Sequence, residues 1–292
     1  MEACSTAHFW ARALAALGHE VRLMPAAYVK PYVKRGKSDA LDAEGICEAV
    51  TRPTMRYVAI KSPDQQAVLM LHRTRDLLVR QRTMLVNALR GHLAEYGIIA
   101  PQGLAGVPKL VELAEKARGT ALPDLAWRCI SLILAQPDEA HTHIGQIERE
   151  IMAWHRTNEL SQRLETIPGI GIITASALAA TITDPTAFRS GRHLAAWIGL
   201  VPRQSGTGGT VRLGSISKQG DRYLRRLLVL GACTLLRHAR NRASATAGWI
   251  TALLGRRPAS IVKVAIANKL ARVAWAVLQD SRGYRAPAAA AA

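Results

Sequence analysis

"DQQAVLMLHRTRDLLVRQRTMLVNALRGHLAEY", residues 64–96, contains no proline and a single glycine, Gly91. Leu71, Leu78 and Leu85 recur every seven residues, with Leu77, Met84 and Leu89 beside them. That spacing predicts one long helix with a coiled-coil-like seam. "GIIAPQGLAGVP" (97–108) breaks it. A second helical pattern covers 124–160, carried by Ile130, Ile133, Leu134, Ile144, Ile147 and Ile151. Two long helices joined by a loop can form an antiparallel arm or oligomer contact, or serve as core helices of one bundle.

Outward from this region the pattern changes on both sides. Residues 2–17 have apolar or small positions at helical spacing and stop at Gly18. "HEVRLM" (19–24) and "MRYVAIK" (55–61) read as short strands. Between them lie a basic loop, "KPYVKRGK" (30–37), and a helix that Ser38 caps and Pro53 ends. Beyond residue 160, short helices alternate with Gly-rich turns up to Asp280. "YRAPAAAAA" then has too little apolar side chain to bury and reads as a disordered tail. The chain is thus expected to be mainly α: an α/β fragment at 1–62, a long-helix region at 63–160, a helical domain at 161–281 and a tail at 282–292.

The 292 residues hold 39 Lys and Arg against 21 Asp and Glu, a formal charge of +18. A basic excess this large points to a polyanionic partner, nucleic acid before anionic membrane. No apolar run reaches membrane-spanning length, since "ASALAATI" stops at Thr183 and Asp184. The N-terminus lacks a charged-then-apolar signal pattern, which predicts a cytoplasmic protein. Cys4, Cys47, Cys129 and Cys233 form no CxxC pair and are expected to be small buried side chains.

Three stretches carry candidate chemistry. "IPGIG" (167–171), between two helical patterns, matches a helix-hairpin-helix element. Gly169 and Gly171 would let backbone N–H groups approach phosphate oxygens. The competing reading is an ordinary tight turn. "RQSGTGGTVRLGSISKQGDRYLRRLL" (203–228) sets Ser205, Thr207 and Thr210 among Gly206, Gly208 and Gly209, flanked by Arg203 and Arg212. Glycine-rich backbone can approach a phosphodiester, arginines can neutralise it, and a hydroxyl can attack it. Lys218, Arg222, Arg225 and Arg226 extend the basic character. Taken alone, a hydroxyl in such a loop is usually only a flexible turn. In "KRGKSDALDAEG" (34–45), Asp39 and Asp42 share a helix face, and Glu2 opens the chain. Carboxylates from separate segments gathered on one site suit Mg²⁺. Asp39 and Asp42 viewed alone merely complement a helix dipole.

Together these pieces resemble one family. The stretch from "MEACSTAHFW" to "DAEGICEA", with "RPTMRYVAIK", is similar to the RuvC-like (RNase H-like) domain of DEDD transposases of bacterial insertion sequences, insertion-sequence family one-ten. "IPGIGIITASALAA", "FRSGRHLAAWIGLVPRQ" and "VRLGSISKQGDRYLRRLLVLGA" resemble the same family's C-terminal transposase domain. The resemblance runs to about residue 280. It implies that Glu2, Asp39 and Asp42 are metal ligands and catalytic acids, with Mg²⁺ as the ion. It also implies a hydroxyl nucleophile, at Thr207 by matching from "PR" to "VR", with Ser205 two residues earlier. The family's first Asp, in a "GIDxAK"-like strand, has no counterpart here. That implies either a start at an internal methionine or a truncated copy. A chain truncated in this way would expose apolar surface beside 1–61, dissolve poorly and not cleave. The activity implied is RNA-guided DNA cleavage and strand transfer by a homo-oligomer, dimer or tetramer, with DNA and a guide RNA as partners. The alternative is a catalytically inactive remnant that only binds nucleic acid.

Overall fold

A computed structural model describes residues 1–34, 36, 38–239, 244–280 and 282–286. Arg35 and Lys37 of the basic loop, and most of the expected tail, lie outside the described residues. The chain divides into two compact units: Met1–Ala67 with Ala180–Ala187, and Val68–Ala179 with the residues from Phe188 onward.

In the first unit, Glu2 bridges Met24 in parallel and Leu23 bridges Val58 in antiparallel fashion. Three extended segments therefore lie side by side, with helix α1 (Ala7–Ala16) crossing from the first to the second. Gly18 (φ +89°) turns the chain after α1. Alternation along the segments separates two small cores. Met1, Ala3 and Leu23 pack with Ala7 and Ala11 of α1. Met24 packs with Val29 and with Ala49 of α3 (Asp39–Val50). Ser38 caps α3 as expected, its side chain accepting from the Leu41 N–H at 3.3 Å. The basic loop begins differently from expectation: α2 (Ala26–Val29) precedes it and a 3₁₀ turn (Lys30–Tyr32) occupies its first residues. Val29 at the end of α2 is buried, and Pro31 suits the start of a turn. Phe9 and Trp10 of α1 are 59% and 51% exposed, so this helix shows an apolar edge to solvent.

In the second unit, the opening stretch forms α4 (Pro63–Ala94), a single 32-residue helix. Its buried stripe is Val68, His72, Val86, Leu89 and Leu93, offset from the leucine repeat. Leu71, Leu78 and Leu85 are half-buried beside this stripe, while Leu77 and Met84 face solvent. At the far end of α4, Leu89 and Leu93 join Leu110 and Ala114 of α5 (Val107–Ala117) and Ile130 of α6 (Asp124–Leu134) in one core. Arg90 holds the intervening loop, donating to the carbonyls of Ala100, Pro101 and Gly103 at 3.0, 2.7 and 3.0 Å.

The second helical pattern is not one helix but three: α6, α7 (Gln136–Thr157) and α8 (Glu159–Glu165). Pro137 has no N–H to donate and sits in the first turn of α7, while Asn158 caps α8, accepting from Ser161 N–H at 2.8 Å. His155 bridges the α7–α8 junction, 2.7 Å from Ser161 Oγ and 2.9 Å from Glu165 Oε2. This Ser–His–Glu array is a clasp, because Ser161 is fully buried and no substrate could reach it. Helices α9 (Ile172–Thr181), α10 (Gly191–Trp197), α11 (Arg222–His238) and α12 (Ala245–Leu254) follow. The last helix, α13 (Ala259–Gln279), packs on α10, α11 and α12 and buries Ile266, Leu270, Ala274 and Leu278 among others. Cys4, Cys47 and Cys129 are exposed, contrary to the expectation of buried thiols, since each lies on the solvent side of its segment.

Candidate functional site

The glycine-rich stretch forms a two-stranded antiparallel hairpin, β1 (Pro202–Thr207) and β2 (Thr210–Ile216). Gly208 and Gly209 connect the strands at φ +58° and +79°, the pair of positive angles a two-residue hairpin turn requires. Ser205 pairs with Arg212, and Thr207 pairs with Thr210 beside the turn. Cross-strand partners share a face, so Ser205 and Arg212 lie on one face of the ribbon. All of β1 is exposed, as is nearly all of β2.

The root of this ribbon is rigid. Val201 accepts from Ser217 N–H at 2.8 Å, and Gly199 accepts from Lys218 N–H at 3.1 Å. A Cβ on Gly220 would lie 1.9 Å from the Trp197 carbonyl oxygen, so only glycine permits this close approach. Lys218 itself adopts φ +56°.

The predicted cations divide into two groups. Arg212 and Arg222 are exposed, and Arg203 reaches only the Ser217 carbonyl, at 3.3 Å. Arg225 instead donates to the carbonyls of Ile198 and Gln219, at 2.8 and 2.7 Å. Arg226 is ion-paired with Asp76 and lies over the Tyr223 ring at 5.3 Å. Of Arg222, Arg225 and Arg226, two therefore serve the fold.

The two glycines of "IPGIG" also differ. A Cβ on Gly231 of α11 would lie 2.0 Å from the Gly169 carbonyl oxygen, and one on Gly169 would meet Leu235 at 2.9 Å. Gly169 (φ +88°) is thus taken up in an interlock with α11. Gly171 is exposed, with open space around it, at the entry to α9.

Among the acidic residues, strand alternation puts Glu2 on the same side as Met24, the side that α3 covers. Asp42 continues the stripe of Gly45 and Ala49, the buried residues of α3, and Asp39 lies one turn earlier. A Cβ on Gly45 would lie 2.8 Å from Val33 Cγ2, so this glycine lets the basic segment lie against α3. Glu44 pairs with Lys34 at 2.5 Å on the exposed side. Three carboxylates are the hard oxygen donors that Mg²⁺ prefers. Yet among the described residues no three Asp, Glu, His or Cys side chains gather closely enough to hold an ion. Glu2, Asp39 and Asp42 do not make a metal site by themselves in this structure.

Sequence reasoning missed a buried polar network on α4. His72 is 1% exposed, with Nδ1 3.0 Å from the Tyr223 hydroxyl and Nε2 3.1 Å from Ser176 Oγ. Arg75 pairs with Glu148 of α7 at 2.6 Å. The available signal was His72 standing at i+4 from Val68 on an apolar stripe. Burial, with Arg75 nearby, lowers the His72 pKa from 6.5 to about 4. The unfolded chain therefore takes up a proton at His72 before the folded one does. Stability is expected to be unaffected above pH 6.5 and to fall by roughly 3 kcal/mol between pH 6.5 and about 4. His72→Gln should flatten that part of the profile, read as urea midpoints at pH 7, 5.5 and 4.5; an unchanged slope would remove the assignment.

No helix among the described residues is long and apolar enough to cross a membrane. Comparison with known proteins matches residues 161–247 to the family described as transposase IS116/IS110/IS902, and residues 1–98 to a DEDD transposase family of IS110 type. The chain is 49% identical to the "Probable family 20 transposase" of Pseudomonas aeruginosa, over 98% of this chain and 85% of that protein. It is 43% identical to the transposase for insertion sequence element IS1328 of Yersinia enterocolitica, over 95% and 82%. It is 40% identical to the transposase for insertion sequence element IS1111A of Coxiella burnetii, over 98% and 78%. The chain belongs to the IS116/IS110/IS902 family of insertion-sequence transposases.

Proposed function

We propose that this chain binds DNA, cleaves it and transfers strands to move an insertion sequence, with the hairpin carrying the nucleophile. Ser205 Oγ attacks a DNA phosphorus; the Oγ–P bond forms as the P–O3′ bond breaks. The serine proton passes to the departing 3′-oxygen. A 3′-hydroxyl of the other partner then attacks the phosphoserine and restores the free serine. The observation that carries this reading is the pairing of Ser205 with Arg212 on an exposed ribbon with a rigid root. Arg212 would neutralise charge developing on the phosphoryl oxygens. Thr207 is the second hydroxyl, and its β-branch crowds it.

The family likeness supports Mg²⁺ as the ion and Glu2, Asp39 and Asp42 as the residues that would hold it. It also supports a guide RNA and a homo-oligomer. The charge of +18 suits a protein holding two polyanions. A second reading, a remnant that binds nucleic acid without cutting it, is favoured by the lack of a three-carboxylate cluster among the described residues. Strand cleavage with Mg²⁺ separates the two. The first reading expects nicking by the parent chain and a loss of at least about 100-fold in Asp42→Ala, an exposed position whose replacement should leave the fold intact. Equal nicking by both proteins would remove the acidic residues from the mechanism, and no nicking by the parent would leave the second reading.

A further inference from the structure

A groove of about 1640 Å³ runs along one face of α13 in the second unit. That exceeds the roughly 300–1,000 Å³ of a small-molecule site, so an extended ligand fits it better than a metabolite. Gly191 shapes one wall: a Cβ there would lie 2.9 Å from the Arg272 backbone, which lets α10 lie directly on α13. The floor is apolar, with Val273 of α13 and Trp249 of α12, and Ile261 stands 52% exposed at one end. Arg192, Lys269, Arg272, Arg282 and Arg285 stand around that floor with one carboxylate, Asp280, which is paired with Arg282. Lys269 lies over the Trp249 ring at 4.2 Å. No carboxylate among the described residues forms an ion pair with Arg192 or Arg272.

We infer that this groove binds single-stranded nucleic acid, with unpaired bases on the Trp249 floor and phosphates on the basic side chains. Charge decides between occupants. A second copy of this chain would bring its own +18 to a basic groove. A duplex would set phosphates against Val273 and Ile261 and leave the aromatic floor unused. A single strand offers apolar base faces and anionic phosphates together, the combination this groove complements. The biological sense of the site rests on the reading of the chain as a nucleic-acid enzyme, but its test does not require cleavage.

The test uses the full chain and fluorescence anisotropy at about 150 mM salt. The probes are an oligothymidylate, an oligouridylate and a mixed-sequence duplex, each of about 20 nucleotides or base pairs, ample for one groove. Trp249→Ala is expected to weaken both single strands about tenfold while changing duplex affinity less than about twofold, and Trp249→Phe should stay near the parent. Ile261→Gln, a neutral change at an exposed position, should weaken the single strands several-fold and spare the duplex. It decides the matter if circular dichroism shows Trp249→Ala to be misfolded. Loss of one single strand alone would assign the groove to DNA or to RNA. Undiminished single-strand binding in Ile261→Gln and in any folded Trp249→Ala, or equal losses on the duplex, would overturn the proposal. The readout is binding without cleavage, so failure of the nucleophile assignment would not be mistaken for failure of the groove.

Discussion

Replacing Ser205 by alanine is expected to abolish covalent capture of DNA, a loss of about 10⁴-fold or more, because no other group can take over a missing nucleophile. Thr207→Ala should retain capture within about tenfold. The two hydroxyls lie two residues apart on one strand, yet their surroundings differ. Ser205 faces Arg212 across the hairpin, whereas Thr207 faces Thr210 at the turn. A primary hydroxyl with a guanidinium beside it can approach a phosphodiester with its charge already countered. Since β1 is exposed throughout, either alanine should change stability by no more than about 0.5 kcal/mol. The measurement is the protein–DNA band that survives denaturing electrophoresis. Loss in Thr207→Ala with retention in Ser205→Ala would exchange the two roles, and retention in both would take the nucleophile off the hairpin. Arg212→Ala should reduce capture about 100-fold, the usual scale for one charge-stabilising donor.

How far the sequence revealed this site depends on the range of each interaction. Ser38 as a cap, the length of α4 and the turn at Gly208–Gly209 are set by residues a few positions apart, and local pattern suffices for them. Pro137 carried its own warning of a helix break, but the isoleucine periodicity on either side hid it. The arginines of α11 were not separable by pattern. Arg226 meets Asp76 from a helix 150 residues away, and Arg225 meets two carbonyls presented by the root of the hairpin. Spacing reveals which residues are cationic, whereas only the fold reveals which cations are already engaged. The acidic residues show the same limit. Alternation from Met1 to Ala3 predicts a common side for Glu2 and α3, but not the distance between their carboxylates.

Replacing Gly231 by alanine should be strongly destabilising, by about 3–5 kcal/mol, and it separates packing from recognition in "IPGIG". The new Cβ would lie 2.0 Å from the Gly169 carbonyl oxygen, far inside van der Waals contact. That neighbour is backbone, held by a turn at φ +88°. Relief would require α11 to move away from the 167–171 turn. Close-packed interiors resist such shifts, and costs above about 4 kcal/mol arise from clashes of this kind. For a unit of this size the melting temperature should fall by roughly 10 °C. Gly171→Ala is the contrasting case. It has open space around it and stands at the entry to α9, so its stability cost should stay near 1 kcal/mol or below. If backbone N–H groups at this turn meet phosphates, Gly171→Ala should weaken duplex binding several-fold while the melting temperature barely moves. A Gly231→Ala protein as stable as the parent would refute the interlock. Unchanged duplex binding by Gly171→Ala would leave "IPGIG" as a packing turn and shift phosphate contact onto the exposed Arg212 and Arg222.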